Sequence, residues 1–391
     1  MSTQLYLQLR QQLSQLIQPR DKRHLDGFTE MLSALLLTGS TLMSQWLVAR
    51  RQKPNRNDTR AALARWHYWL TKANVDVETY YHPLLQQALN EMAGQRLFLS
   101  LDTSLLWNRF CLSMVALRWG GRAIPLCWQI REHSSASVAF NDYQPLLAQA
   151  KALLPDSCSL VLLADRGFDH LALVDYLRSE GWGFAIRLRG NRRFWLNNKP
   201  TSVKAIDPGA GRVKGVCDLQ VQRDGDVRCN LVVGTPLGSR QRWAVMTSEA
   251  PSLEVFEQYS WRFQIEAFFA DLKSNQLTLC DSKLRNPVAL ERLMAVMAAG
   301  VLWAVQQGQA VVTSGYRRRV DAHTTRGLSY LKLGLRWLQG VVLQAWPLLA
   351  TKPLEPERQE RAMASRRQRL RREMAIEFSH LDFPKPQAGA A

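Results

Sequence analysis

The sequence predicts an α/β protein: a mixed sheet flanked by helices, preceded by a helical segment and interrupted by an all-β insertion. Three observations predict it. Residues 1–95 repeat Leu, Ile and Met at three- and four-residue spacings, the helical period. From Arg96 the apolar residues come instead in short unbroken runs, RLFLSLD, SLVLLAD and WGFAIRLR, which suit strands buried inside a sheet. Helix-period stretches separate and follow these runs, so strands and helices alternate.

The first 95 residues open with MSTQLYLQLRQQLSQL, which reads as a polar amphipathic helix rather than a basic-then-apolar signal segment. Arg50–Lys72 is the basic part of this region, with seven Arg or Lys against one Asp. Asn57 and Asp58 suit N-caps of the helix that follows. Trp66, His67, Tyr68 and Trp69 interleave with these cations; the pattern suits contact with a DNA backbone and equally suits a solvated helix with aromatic core anchors.

Strand Arg96–Asp102 leads into CLSMVALRW and AIPLCWQIRE, which flank Gly120-Gly121-Arg122 and predict a hairpin with a glycine turn. A helix is expected near Tyr143–Leu154, a buried strand over Ser159–Asp165, a helix from Phe168 to about Glu180, and a strand over Trp182–Arg189. Residues 190–250 carry short alternating runs such as VKGVCDLQV and CNLVVG and read as a small all-β insertion. It is basic where it leaves the sheet, with eight Arg or Lys against one Asp between Arg187 and Lys214. Helical pattern resumes from Glu254 to about Gln307. A basic segment, GYRRRV, and RGLSYLKLGLRWLQG follow, then a Pro-, Glu- and Arg-rich tail whose SRRQRLRRE reads as a solvated charged helix.

The 391 residues carry 51 Lys and Arg against 33 Asp and Glu, a formal net charge of +18. Such an excess points to a polyanionic partner. A membrane span is not expected, because the longest apolar run, Leu293–Val305, falls short of the roughly 20 residues required. The cysteines, at 111, 127, 158, 217, 229 and 280, form no C-x-x-C pair and mostly sit in apolar runs, which argues against structural zinc or a disulfide framework. They read as reduced core residues of a cytoplasmic protein.

Two buried strands end in an acid, Asp102 and Asp165, at the sheet edge where α/β folds bind ligands. An Asp there also commonly caps the next turn. If the strands are neighbours, two close carboxylates must share a proton or hold a cation, and Mg²⁺ favours such oxygen ligands together with phosphates. A third acid lies in YSWRFQIEAFFADLK. At about 100° per residue on one continuous helix, Tyr259, Arg262, Glu266 and Lys273 share one stripe. Trp261, Ile265, Phe268, Phe269 and Leu272 face the other way, toward a core. An incidental Arg262–Glu266 pair on an amphipathic helix is the plainer reading.

Tyr259-x2-Arg262-x3-Glu266-x6-Lys273 resembles the Y-R-E-K signature of the insertion-sequence-four family of bacterial transposases. LSLDTS around Asp102 and LLADRGFD around Asp165 are similar to that family's first two acidic motifs. The likeness runs from about residue 95 to 345. It implies an RNase H-like core in which Asp102, Asp165 and Glu266 hold two Mg²⁺ ions, with Mn²⁺ able to substitute, for cleavage and strand transfer of double-stranded DNA at transposon ends and target. It implies that Tyr259, Arg262 and Lys273, with Arg166 beside them, grip phosphates at the cut. It further implies a homodimer on DNA. RWAVMTSE resembles the segment in which related enzymes stack a tryptophan on a flipped base during a hairpin route, which makes Trp243 a candidate, with Phe263 second; a core tryptophan in a strand reads equally well. Gly167, after Asp165-Arg166, stands where one well-studied pattern has an acid.

The expected segments are a helical DNA-binding domain (1–95), the catalytic core in two parts (96–189 and 251–350), the β-rich insertion between them (190–250) and a basic tail (351–391). An RNase H-like nuclease or resolvase, a catalytically silent DNA-binding derivative and a basic scaffold are the rival readings.

Overall fold

The computed structural model describes residues 2–49, 56–72, 75–223, 225–235, 241–275, 277–356 and 380–384. Helices α1 (Ser2–Leu16), α2 (Lys22–Thr38), α3 (Met43–Trp46), α4 (Arg56–Thr71) and α5 (Val77–Leu89) precede the first strand. In α1, Leu5, Leu9 and Leu13 recur every fourth residue and bury one stripe. Asp21 caps α2 by accepting the Arg23 N–H, and Gly39 closes it at φ 66°, a left-handed conformation that glycine adopts without strain. One expectation for α4 is corrected, and one left open is decided in part. It begins at Arg56, so Asn57 and Asp58 lie within its first turn rather than capping it. Trp66 and Trp69 are core anchors: both are buried, and their indole N–H groups donate to Glu30 Oε2 and the His24 carbonyl, each at 3.0 Å. Tyr68 and His67 remain exposed.

Strands β1 (Arg96–Leu106), β2 (Phe110–Trp119) and β3 (Arg122–Glu132) form an antiparallel meander. Gly120 and Gly121, both at positive φ, make the expected tight turn between β2 and β3. Helix α6 (Phe140–Leu153) leads to β4 (Ser159–Ala164), and α7 (Leu171–Ser179) leads to β5 (Gly183–Arg187). Both β4 and β5 run parallel to β1. The order β3-β2-β1-β4-β5, antiparallel on one side of β1 and parallel on the other, is the mixed sheet flanked by helices that the sequence predicts.

Residues 190–250 do form strands: β6 (Arg193–Leu196), β7 (Lys199–Ser202), β8 (Arg212–Gln220), β9 (Arg228–Gly234) and β10 (Trp243–Thr247). They are not a separate β unit, however. β10 pairs antiparallel with β5, and β9, β8, β6 and β7 continue from it, so the insertion widens the same sheet.

The chain then forms α8 (Leu253–Ser260), α9 (Phe263–Ala270) and α10 (Pro287–Thr313), followed by α11 (Tyr330–Leu343). Asn286 caps α10 by accepting the Ala289 N–H at 3.1 Å, and Pro287 fills the first helical position, where no N–H is needed. At 27 residues α10 is long and apolar enough to cross a membrane, but nine-tenths of its apolar stretch is buried inside the protein, against α2, α5, α11 and β3. It is the central core helix. A final strand, β11 (His380–Asp382), pairs with β8. SRRQRLRRE lies outside the described residues. No disulfide joins the cysteines. Cys111, Cys127 and Cys229 are buried, whereas Cys217 is exposed, contrary to its reading as a core residue.

Candidate active site

The site begins with strand register. β1 and β4 pair in parallel up to Leu101 and Ala164; the next residues along each strand are Asp102 and Asp165. Neighbouring strands lie about 4.8 Å apart, so the two acids start from adjacent backbone positions. Side chains alternate along a strand, which puts Asp102 on the face of Phe98, and Asp165 on the face of Val161 and Leu163. That face packs against Val255, Phe256 and Tyr259 of α8. Asp102 does not close its strand as expected: β1 runs on to Leu106 beside β2, and only its pairing with β4 stops at Leu101.

Asp165 is half-buried and caps a short turn over Arg166–Phe168, accepting the Gly167 N–H at 2.7 Å. A Cβ on residue 167 would lie 2.9 Å from Asp165 Oδ1, so glycine leaves room for the carboxylate. This gives a local reason for Gly167.

Arg262 joins the other two acids. Its side chain is only 4% exposed, its Nη1 donates to Asp102 Oδ2 at 3.0 Å and its Nη2 donates to Glu266 Oε1. Its Nε donates to the Tyr259 hydroxyl at 3.2 Å. The guanidinium fork thus connects α8, α9 and β1. Asp102 also accepts the Thr103 N–H. Burial pushes the Asp102 carboxyl up to about 7, the nearby Asp165 and Glu266 push the same way, and Arg262 opposes them. Burial works to lower Arg262, but Tyr259, Asp102 and Glu266 outweigh it and hold the guanidinium above its ordinary value.

The predicted single helical stripe is corrected. The helix breaks at Trp261–Arg262, where N–H groups bond three residues back, and Asp271–Asn275 form a wider π turn. Each irregularity rotates the residues downstream of it relative to an ideal wheel. Tyr259, ahead of both, faces the sheet with Val255 and Phe256, so its ring is in the core beside Arg262 rather than open to a ligand. Lys273 is exposed and its charge acts on the Cys280 thiol. Arg166 is exposed, and its carbonyl accepts from Arg189 Nε at 3.2 Å. The apolar face holds: Ile265, Phe268, Phe269 and Leu272 are buried.

Trp243, half-buried at the start of β10, packs its ring edge-on to Phe256 and Tyr259 and tilted against Phe263, with centroids 5.6–5.9 Å apart. Phe263 in turn lies under the Arg262 guanidinium at 4.9 Å. An aromatic wall therefore backs the cation between Asp102 and Glu266. One residue escaped the sequence reading. Arg187, at the end of β5, lies 6.0 Å over the Trp243 ring and its charge reaches Tyr259. It sits at the same strand-end edge as Asp165, the rule that found the acids.

Three oxygen-bearing acids suit a hard divalent cation, and a cation would favour the charged Asp102 against the burial, and the lesser push of Asp165 and Glu266, that raise it. Among the described residues no three acids, histidines or cysteines are grouped closely enough to hold a metal ion. Asp102 and Asp165 start from adjacent strand positions; Glu266, half-exposed, is directed to Arg262, and to serve as a third ligand it would have to leave that arginine.

No curated protein sequence matches the chain. Among solved structures it is similar to the piggyBac transposase synaptic complex with hairpin DNA, at a TM-score of 0.41 and 11% identity over 96% of this chain and 79% of that one, a likeness too distant to assign any residue a role. Residues 131–301, which hold Asp165 and Glu266 but begin after Asp102, match the family model of the transposase DDE domain.

Proposed function

We propose that this chain is a DNA transposase of a bacterial insertion sequence, which cuts and rejoins double-stranded DNA through Asp102, Asp165 and Glu266. The observation that carries the reading is the register of β1 and β4, which makes Asp102 and Asp165 adjacent, with Arg262 linking Asp102 to Glu266. The similarity of residues 131–301 to a transposase DDE domain supports it. Two Mg²⁺ ions on the three carboxylates, with Mn²⁺ able to replace them, would supply activation of the attacking oxygen and charge neutralisation at the phosphate.

The rest is work for the chain's own residues. Arg262 would turn its planar fork to a phosphate only on release from Asp102 and Glu266, and Tyr259 holds that fork from behind. Lys273 and Arg166 are exposed cations for the flanking backbone. Trp243, at the rim of the aromatic wall, is the candidate for stacking a base unpaired during a hairpin route. The helical segment 1–95 would add DNA contacts, and the active species would be a homodimer on DNA in the cytoplasm.

The test uses duplexes bearing the element's own terminal repeats. Asp102→Asn, Asp165→Asn and Glu266→Gln should each lower Mg²⁺-dependent cleavage by about a thousandfold or more while leaving DNA affinity nearly unchanged. Retained cutting in any one of them refutes the assignment. Cleavage without strand transfer into a target would favour a nuclease or resolvase.

A further inference from the structure

The basic segment after α10 has no part in the site described above, yet it is built with unusual care. Between residues 314 and 350 there are six Arg or Lys and one acid, Asp321. That acid has no exposed side-chain surface. It pairs with Arg317 at 3.3 Å and with His323 Nδ1 at 2.6 Å, and accepts the N–H groups of His323 and Gly327. Arg317 in turn donates to the carbonyls of His323, Thr324 and Thr325. Two side chains thus cross-brace the whole loop from 317 to 327, with every negative charge turned inward.

Two of the outer cations, Arg319 and Arg336, are also held in place. The Arg319 guanidinium lies 4.6 Å over the Tyr316 ring, and that ring stacks on the fully buried Trp337 at 5.3 Å and 12°. Arg336 of α11 is exposed and ties itself to the loop through the Val320 carbonyl at 2.9 Å. Arg318 and Lys332 are exposed beside them. A solvated charge run needs no such frame. Cations held in place lose less freedom on meeting a rigid polyanion.

The surface is distinct from the carboxylates. Glu291, in the first turns of α10, accepts the Ile130 N–H; Ile130 pairs with Leu112, and Leu112 with Ser104, two residues beyond Asp102. From Glu291 to Thr313 the helix rises roughly 33 Å at 1.5 Å per residue. The loop therefore lies beyond the opposite end of α10 from Glu291 and shares no residue with the carboxylate site.

We infer that the braced loop 316–327, with the exposed face of α11, is a second contact surface for the backbone of duplex DNA, presenting Arg318, Arg319, Lys332 and Arg336. It rests on the proposed function in that the partner is DNA. The reading is one of position without sequence choice, because exposed cations on a braced loop meet phosphates, contacts that carry no sequence information.

The test is fluorescence anisotropy of the full chain with a fluorescein-labelled 40-base-pair duplex of arbitrary sequence, from low to moderate salt. Arg318→Gln/Arg319→Gln should weaken binding about tenfold and reduce the slope of log K against log salt by about 2, one unit per lost phosphate contact. Arg178→Gln/Arg223→Gln, which removes the same charge from exposed sites elsewhere, should change affinity less than about twofold and leave the slope intact. Equal effects of the two double variants would overturn the inference, since only net charge would then matter. So would a loss seen with anionic vesicles or single-stranded RNA but not with the duplex. A wild-type chain that failed to bind duplex DNA at all would instead bring down the proposed function, and this surface with it.

Discussion

Asp102 sits in the fold against its own preference for charge. Its ordinary value of 3.8 is raised to about 7, chiefly by burial. Folding therefore favours the protonated acid; the resulting pH dependence is absent below about pH 4, and above it stability falls as the pH rises through 7. Between about pH 5 and pH 8, without divalent metal, the wild type should lose roughly 2–3 kcal/mol relative to Asp102→Asn. Urea melts of both proteins in chelator would show it, and parallel pH profiles would mean that Asp102 ionises freely. Asp165 poses a different constraint, one of space. Because a Cβ at 167 would come within 2.9 Å of its Oδ1, Gly167→Ala should turn the carboxylate and slow cleavage by about a hundredfold, with little change in melting or DNA affinity. An unimpaired Gly167→Ala enzyme would show that Asp165 tolerates the shift. Asp165 was legible because the apolar run it closes is a whole buried strand; the same pattern found Asp102 although β1 runs on to Leu106 and only its pairing with β4 stops there. The burial of Tyr259 was not: a helical wheel assumes one unbroken helix, and no residue between Ser260 and Phe263 signals the break that separates the face of α8, with Val255, Phe256 and Tyr259, from that of α9.

The elements repeat this division. The hairpin turn at Gly120-Gly121, the helix over Phe140–Leu153 and strands β4 and β5 follow from local pattern, since burial of a short strand demands a continuous apolar run. The ends of helices and the π turn at Asp271–Asn275 depend on packing from elsewhere and left no trace in spacing. The crossing of α10 and α11 is another feature set by packing. Added Cβ atoms on Gly308 and Gly334 would run into the carbonyls of Tyr330 and Ala304 on the facing helix, which is backbone and cannot rotate away. Gly308→Ala or Gly334→Ala should therefore force the helices apart and destabilise the protein by about 3 kcal/mol or more, even though alanine is the better helix former. A rise in melting temperature for either variant would show that the helices do not approach so closely. The same helices carry the braced basic loop, so their separation should also weaken its hold on Arg319 through Trp337.

At the scale of the whole molecule, the sheet is one object: β10 lies against β5, and β9 and β8 extend outward from it. Sequence pattern separated residues 190–250 because a change of composition marks where a segment begins but not what it pairs with; the β5–β10 pairing joins residues some 60 positions apart. The distinction has a physical consequence. Leu231, Val232 and Val233 of β9 are fully buried, on both faces of the widened sheet, and Trp243 of β10 supports Tyr259 behind Arg262. An independent insertion could be cut out and leave a folded catalytic core. Here, replacing residues 190–241 with a short Gly/Ser linker would strip β10 of its outer neighbour, expose apolar faces and leave a long unprotected strand edge, a setting that promotes aggregation. The shortened chain should be insoluble, or should lose its cooperative melt while keeping helical circular dichroism from α1–α5 and α10. A soluble product with an intact transition would show that the outer strands are an appendage and that the residues around Arg262 are held without them.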